Sequence, residues 1–79
     1  MKTKPAIKNQ QKKFEAIGTY LREIRLNENM SQGEVAIETG LSRNTISRIE
    51  TSKNFSLITF LILSDLYQLT PSEILSILD

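Results

Sequence analysis

Two closely spaced helix starts limit how this chain can fold. Ser31 is followed three residues later by Glu34, which is the spacing of a capping box, and Ser42 opens a second helix eleven residues after Ser31. Gly40 lies between them, where the first of the two helices must end. Because glycine accepts the positive φ that such an ending usually requires, the sequence predicts two short helices joined by a tight turn.

The second of these helices has an apolar side and a polar side. At 100° per residue, Ile46 and Ile49 point in one direction, toward a protein core. The opposite side and the first turn contain Arg43, Asn44, Ser47, Arg48 and Thr51. We therefore expect one side to pack and the other to reach outward.

With this pattern the sequence resembles the lambda-repressor-like, XRE-type helix-turn-helix family. The resemblance covers roughly residues 17–78 and implies an all-α, compact five-helix domain, in which the second and third helices form a DNA-binding helix-turn-helix. It rests on Ala36, Gly40, Ile46 and Ile49 at the family's spacing, with Leu21, Arg22, Arg25 and Glu50 around them.

The rest of the chain is consistent with this architecture. The apolar spacing predicts a first helix from about Phe14 to Asn27, and caps at Ser56 and Thr70 predict two more helix starts. No run of alternating residues indicates a strand. Residues 1–13 carry five lysines and no acid, so we expect a flexible basic arm before a domain at 14–79.

Composition excludes several function classes. The 79 residues contain no cysteine and no histidine, which excludes disulfides, zinc fingers and histidine-based acid–base chemistry. We expect no cofactor, no metal and no enzymatic activity. The longest nearly apolar run, residues 57–63, is far shorter than the roughly 20 residues of a membrane span. A cytoplasmic protein fits these features.

The resemblance implies that the third helix enters the major groove of DNA. Arginine can pair with guanine and asparagine with adenine through two hydrogen bonds. The base-reading candidates are Arg43, Asn44, Thr45, Ser47 and Arg48, and the phosphate-binding candidates are Gln32, Ser42, Lys53 and Asn54. The alternative is a merely solvated helix face, with Gln32 as an ordinary surface residue.

Two other charged residues have a structural interpretation. The resemblance implies an ion pair between Arg25 of the first helix and Glu50 of the third. Arg22 stays open between a phosphate contact and a solvated position.

The fourth helix is apolar on nearly every side, which indicates burial on nearly every side. Ile58, Ile62 and Leu66 recur every four residues, opposite Leu57, Phe60, Leu61 and Ser64. Either the first and fifth helices cover this stripe or a second subunit does. We favour a homodimer interface, which Ile74, Ile77 and Leu78 could extend, and an inverted-repeat operator.

Two functions fit these expectations. The first is a sequence-specific, double-stranded DNA-binding transcriptional regulator, most simply a repressor. The second is an antitoxin or a restriction–modification controller, which regulates its own operon and binds a partner protein such as a toxin. A pure protein-interaction module conflicts with the outward Arg43, Asn44 and Arg48. The lysine arm could follow DNA phosphates or only increase solubility.

Overall fold

The computed structural model describes residues 3–51 and 54–79, with side chains from residue 8 onward, and all regular structure in these residues is helical. The elements are α1 Thr3–Asn27, α2 Gln32–Thr39, α3 Arg43–Thr51, α4 Leu57–Leu66 and α5 Pro71–Leu75, followed by a 3₁₀ turn Ser76–Leu78. The five-helix, all-α architecture predicted from the sequence is confirmed. No described helix is both long enough and apolar enough to span a membrane.

The first helix is longer than its apolar pattern indicated. α1 begins at Thr3, whereas the sequence predicted a start near Phe14. Lysine, glutamine and alanine are good helix formers, and a proline is tolerated in the first turn of a helix, where Pro5 lies. Residues 8–13 are all exposed. Apolar spacing therefore located only the part of α1 that packs on the domain.

All four helix starts predicted from caps are present. The two capping boxes are reciprocal, with backbone-to-side-chain hydrogen bonds in both directions, at Ser31 with Glu34 and at Thr70 with Glu73. The hydroxyls of Ser42 and Ser56 accept hydrogen bonds from the backbone N–H groups of Thr45 at 3.0 Å and Thr59 at 3.3 Å. Each cap satisfies an amide that the helix itself leaves without a partner.

Three helices, α1, α2 and α4, are each followed by a left-handed residue, and one of these three residues is glycine. Gly40 has φ 76° after α2, as its position predicted. Asn29 has φ 58° after α1, and the Met30 N–H donates to the Arg25 carbonyl at 3.1 Å, which is the long bond of a Schellman motif. Asparagine tolerates this conformation better than most residues. Gln68 has the same φ after α4.

All five helices contribute buried residues to the core, and α1 and α3 pack closely against each other within it. Gly18 marks the closest approach, because a Cβ there would overlap the Ile49 carbonyl oxygen of α3. A larger residue would hold the two helices apart. The buried apolar residues are Ile17, Leu21, Val35, Ile46, Ile49, Phe60, Leu63 and Ile74.

Candidate nucleic-acid interface

The turn between α2 and α3 is fixed by its own hydrogen bonds. The Gly40 N–H donates to the Ala36 carbonyl at 2.9 Å. The Thr39 hydroxyl donates to the Val35 carbonyl at 2.7 Å and accepts from the Leu41 N–H at 3.2 Å. Thr39 therefore connects the last turn of α2 to the segment that leads into α3.

α3 has the two faces that its sequence predicted. Ile46 and Ile49 are buried in the core, whereas Arg43, Asn44 and Arg48 are exposed. Among the described residues, none accepts a hydrogen bond from the side chains of these three polar residues. Their donors can therefore reach a ligand without first breaking a contact within the described part of the protein. Of the other base-reading candidates, Thr45 and Ser47 are half-buried.

The first turn of α3 is organised by hydroxyl groups. Ser42 and Thr45 share a hydrogen bond of 2.8 Å between their hydroxyls, in addition to the cap bond. The Ser42 side chain is therefore engaged as a cap. The cap leaves the N–H groups of Arg43 and Asn44, which have no partner within a helix, for an anion such as a phosphate oxygen.

A buried ion pair connects α1 to α3. The Arg25 Nε donates to the Glu50 Oε2 at 2.7 Å, and the Arg25 Nη2 donates to the Glu50 Oε1 at 3.0 Å. The two side chains are only 8% and 1% exposed. The Arg25 Nη1 donates to the Met30 carbonyl at 2.8 Å, so the guanidinium also holds the loop before α2. The hydrogen bond to Glu50 raises the pKa of Arg25.

Gln32 belongs to the same network. Its Nε2 donates to the Glu50 Oε1 at 3.1 Å, so the side chain bridges α2 and α3. A phosphate contact by this residue would use its remaining amide hydrogen and the N–H groups of the first turn of α2. The sequence indicated the phosphate contact and missed the bridge, because no local spacing relates residues 32 and 50.

Tyr67, just after α4, lies within reach of the charges of this network. Burial, reinforced by the negative charge of Glu50, raises the pKa of Tyr67 to about 12. No pattern in the sequence pointed to this residue.

A polar groove of about 290 Å³ lies beside the exposed face of α3. Thr45, Arg48 and Asn54 line it, so two base-reading candidates and one phosphate-binding candidate share a surface. Lys53, the neighbouring phosphate-binding candidate, lies outside the described residues. The other lining residues are Ile49, Phe55, Ser56 and Thr59.

Comparison with known families identifies this arrangement. A helix-turn-helix family model matches residues 21–74, which is more than half of the chain and includes the ion pair, the turn and all of α3. The chain belongs to the XRE-type, lambda-repressor-like helix-turn-helix family. This helix-turn-helix protein is therefore a DNA-binding protein of a non-enzymatic family. Neither curated protein sequences nor solved structures gave a significant match.

The exposed side of α4 in this helix-turn-helix protein differs from the sequence-based expectation. Of the three expected interface residues, Ile58 is 67% exposed, but Ile62 is half-buried and Leu66 packs against the core. Leu57 and Leu61, expected on the opposite side, are 69% and 41% exposed. Because α4 is apolar on nearly every side, its sequence does not show which side packs against the core. The tertiary packing determines which side stays exposed.

The C-terminal residues that could extend the interface also differ in exposure. Ile74 is fully buried in the core, so it is not open to a second subunit. Leu78 is partly buried and packs against the core. Ile77 is exposed and keeps the expected position at the surface.

Proposed function

We propose that this helix-turn-helix protein is a sequence-specific transcriptional regulator that binds double-stranded DNA as a homodimer, most simply as a repressor. One observation supports the proposal most strongly. The exposed face of α3 holds Arg43, Asn44 and Arg48, while Ile46 and Ile49 anchor the same helix in the core. A rigid helix with free polar donors on one face suits the major groove.

The side chains suggest roles within the groove. Arg43 and Arg48 are suited to the O6 and N7 atoms of guanine, and Asn44 is suited to N6 and N7 of adenine. Thr45 and Ser47 have short side chains that are half-buried. They suit close contacts with a base edge, a thymine methyl group or a phosphate. Each good bidentate contact gives about 1–3 kcal/mol of discrimination between bases.

Phosphate contacts on both sides of α3 would set its orientation. The first turns of α2 and α3, at Gln32 and Ser42, present backbone N–H groups. Asn54 is exposed beside the polar groove, and Lys53 precedes it in the sequence. Such contacts fix the register of the protein on the duplex but do not read its sequence.

The test is to select bound sites from random duplex DNA and then compare Arg43→Ala and Arg48→Ala on the selected and scrambled sequences. Each variant should bind the selected site about tenfold or more weakly, because alanine cannot pair with the base that the arginine reads. Thermal unfolding should stay almost unchanged. Arg22→Ala is the control, because it removes the same charge from α1. It should change the affinity for the selected and the scrambled DNA by the same factor.

Selection also tests the homodimer. A symmetric dimer should select an inverted repeat with half-sites about 34 Å apart, one turn of DNA. Equal binding of the parent protein to selected and scrambled DNA would overturn the whole proposal. A single half-site would overturn the dimer part only.

Two alternative roles are open for the lysine-rich start of the chain, DNA phosphate binding and solubility. Lys8, Lys12 and Lys13 are exposed on α1. If this segment follows DNA phosphates, deleting residues 1–12 should lower the slope of log affinity against log salt by about 0.9 for each phosphate that its lysines neutralise. An unchanged slope would assign the segment to solubility alone.

A partner protein, such as a toxin, is the second candidate. The exposed apolar side chains of α4 favour it, since such a surface suits protein docking. Copurification with the product of the neighbouring gene would support this function, and so would loss of transcriptional repression of the operon when that product is absent.

A further inference from the structure

The exposed face of α4 is an apolar stripe that ends in an acid. Leu57, Ile58 and Leu61 are exposed, and Asp65 follows one turn after Leu61 on the same side. Leu57 and Asp65 are eight residues apart, which is about 12 Å along the helix. The stripe therefore has an apolar N-terminal end and a negatively charged C-terminal end.

A second feature lies beside the apolar end of this stripe. Leu57 lines an apolar groove of about 310 Å³, and Phe14 and Lys13 of α1 line the same groove. Leu75 forms another part of its wall and is itself 42% exposed. Lys13 is exposed, so a positive charge lies at the end of the α4 stripe opposite Asp65.

Asp65 lies in a C-terminal part of the sequence that has no basic residue. Residues 56–79 contain Asp65, Glu73 and Asp79 and no lysine or arginine. Glu73 already accepts a hydrogen bond from the Thr70 N–H in its capping box. A basic partner for Asp65 must therefore come from outside residues 56–79, and Lys13 is a basic residue that lines the groove beside the α4 stripe.

We propose that two copies of this chain pair through α4 in antiparallel orientation, with Lys13 of each copy beside the partner's Asp65. An antiparallel pairing about a two-fold axis near Leu61 brings Leu57 of one copy to the C-terminal end of the other copy's stripe. Since Lys13 shares the groove with Leu57, the partner's Asp65 arrives next to it. The same contact forms twice, as two-fold symmetry requires.

Two further effects favour this orientation. Each Asp65 also approaches the N-terminal end of the other α4, which carries a partial positive charge. Leu61 of one copy meets the partner's Leu61, so the centre of the interface is apolar. A parallel pairing would instead place the two Asp65 carboxylates together. The inference rests on the proposed homodimer and specifies its surface.

A charge exchange tests the pairing. Lys13→Glu and Asp65→Lys should each raise the dimer dissociation constant in sedimentation at low salt by about tenfold, since two attractions become repulsions. The double variant should restore most of the parent's affinity. Lys12→Glu makes the same charge change at an exposed neighbour outside the groove lining and should have a much smaller effect. A double variant as weak as the singles would overturn the pairing.

The absence of cysteine from the sequence allows a second test. Leu61→Cys should form a disulfide-linked dimer on oxidation, because the two-fold axis brings the two sulfurs together. Leu26→Cys is the matched control, since Leu26 is also an exposed leucine, at 48% against 41%, but lies near the end of α1. Equal cross-linking of both variants would contradict the proposed surface, and so would none at residue 61.

The outcomes separate this inference from the proposed function. If the parent protein selects a DNA sequence but the charge-exchange variants do not behave as expected, the proposed DNA-binding function stands and the proposed interface is wrong. If the charge exchange and the cross-link behave as expected but the parent protein binds all DNA equally, the interface stands and the proposed function is wrong. Circular dichroism of each variant identifies any loss of folding.

Discussion

At Gly18, α1 and α3 are so close that one added methyl group would overlap the backbone of α3. The Arg25–Glu50 ion pair joins the same two helices and is almost fully withdrawn from water. Both features hold α3 against α1. At the scale of single residues, the structure therefore separates side chains that position the recognition helix from those that face outward.

Gly18→Ala should lower the free energy of unfolding by about 1–3 kcal/mol, because the new Cβ forces the helices apart. Gly33→Ala is the matched control, since its Cβ would meet only the Ser31 hydroxyl, at an ordinary 3.8 Å. That change should stabilise α2 by about 0.5 kcal/mol through helix propensity. Urea unfolding measures both, and equal effects would show that the close approach is unimportant.

Glu50→Gln should cost about 3–5 kcal/mol, because it leaves the buried Arg25 guanidinium without its counter-charge. This is a large part of the stability of so small a domain. Denaturant unfolding followed by circular dichroism measures the loss. Glu23→Gln, an exposed acid on α1, should change stability by less than about 0.5 kcal/mol. A similar small change at Glu50 would show that the ion pair contributes little.

At the scale of elements, each of the four short helices begins at a side-chain cap. α2 and α5 use complete capping boxes, whereas α3 and α4 pair a serine cap with a threonine hydroxyl. Helices of 5 to 10 residues are too short to be stable alone, so caps and packing must together hold them. The recognition helix depends on Ser42 in this way.

Ser42→Ala should lower stability by about 1 kcal/mol, because the Thr45 N–H loses its acceptor. It should also weaken DNA binding, since the first turn of α3 holds Arg43 and Asn44, two of the proposed base-reading residues. Thr70→Ala removes the cap of α5 and should cost similar stability while leaving DNA affinity unchanged. Fluorescence anisotropy with the selected duplex compares the two variants. Equal DNA affinities would contradict a role for the cap in binding.

At the scale of the whole molecule, the network around Glu50 connects distant parts of the chain. Arg25 comes from α1, Gln32 from α2 and Glu50 from α3. Tyr67, just after α4, is close enough for the charge of Glu50 to act on its hydroxyl. Burial and the nearby charge of Glu50 both disfavour the ionised form of Tyr67.

The raised pKa of Tyr67 gives a pH dependence at the alkaline end. The unfolded chain loses this proton near pH 10.0, whereas the folded protein keeps it to about pH 12. Its contribution to stability is therefore complete below pH 10 and is lost as the pH rises to about 12. Tyr67→Phe should make the fall in unfolding free energy over this window shallower. Tyr20→Phe, which leaves Tyr67 in place, should keep the parent's profile.

The sequence alone determined the helix starts, the Gly40 turn and the two faces of α3. These features depend on neighbours within about one helical turn, so caps, glycine and spacing are sufficient to predict them. They also include the outward arginine and asparagine side chains, which are the main part of the candidate DNA site.

Only the tertiary structure decided the features that join distant residues. Gln32 reaches Glu50 across 18 positions, and Gly18 meets Ile49 across the helix crossing. α4 is apolar on nearly every side, so its open face followed from how Phe60 and Leu63 dock. The extension of α1 to Thr3 was missed because an exposed helix needs no apolar stripe. Local chemistry specified where helices begin, and packing between them specified which surfaces stay open.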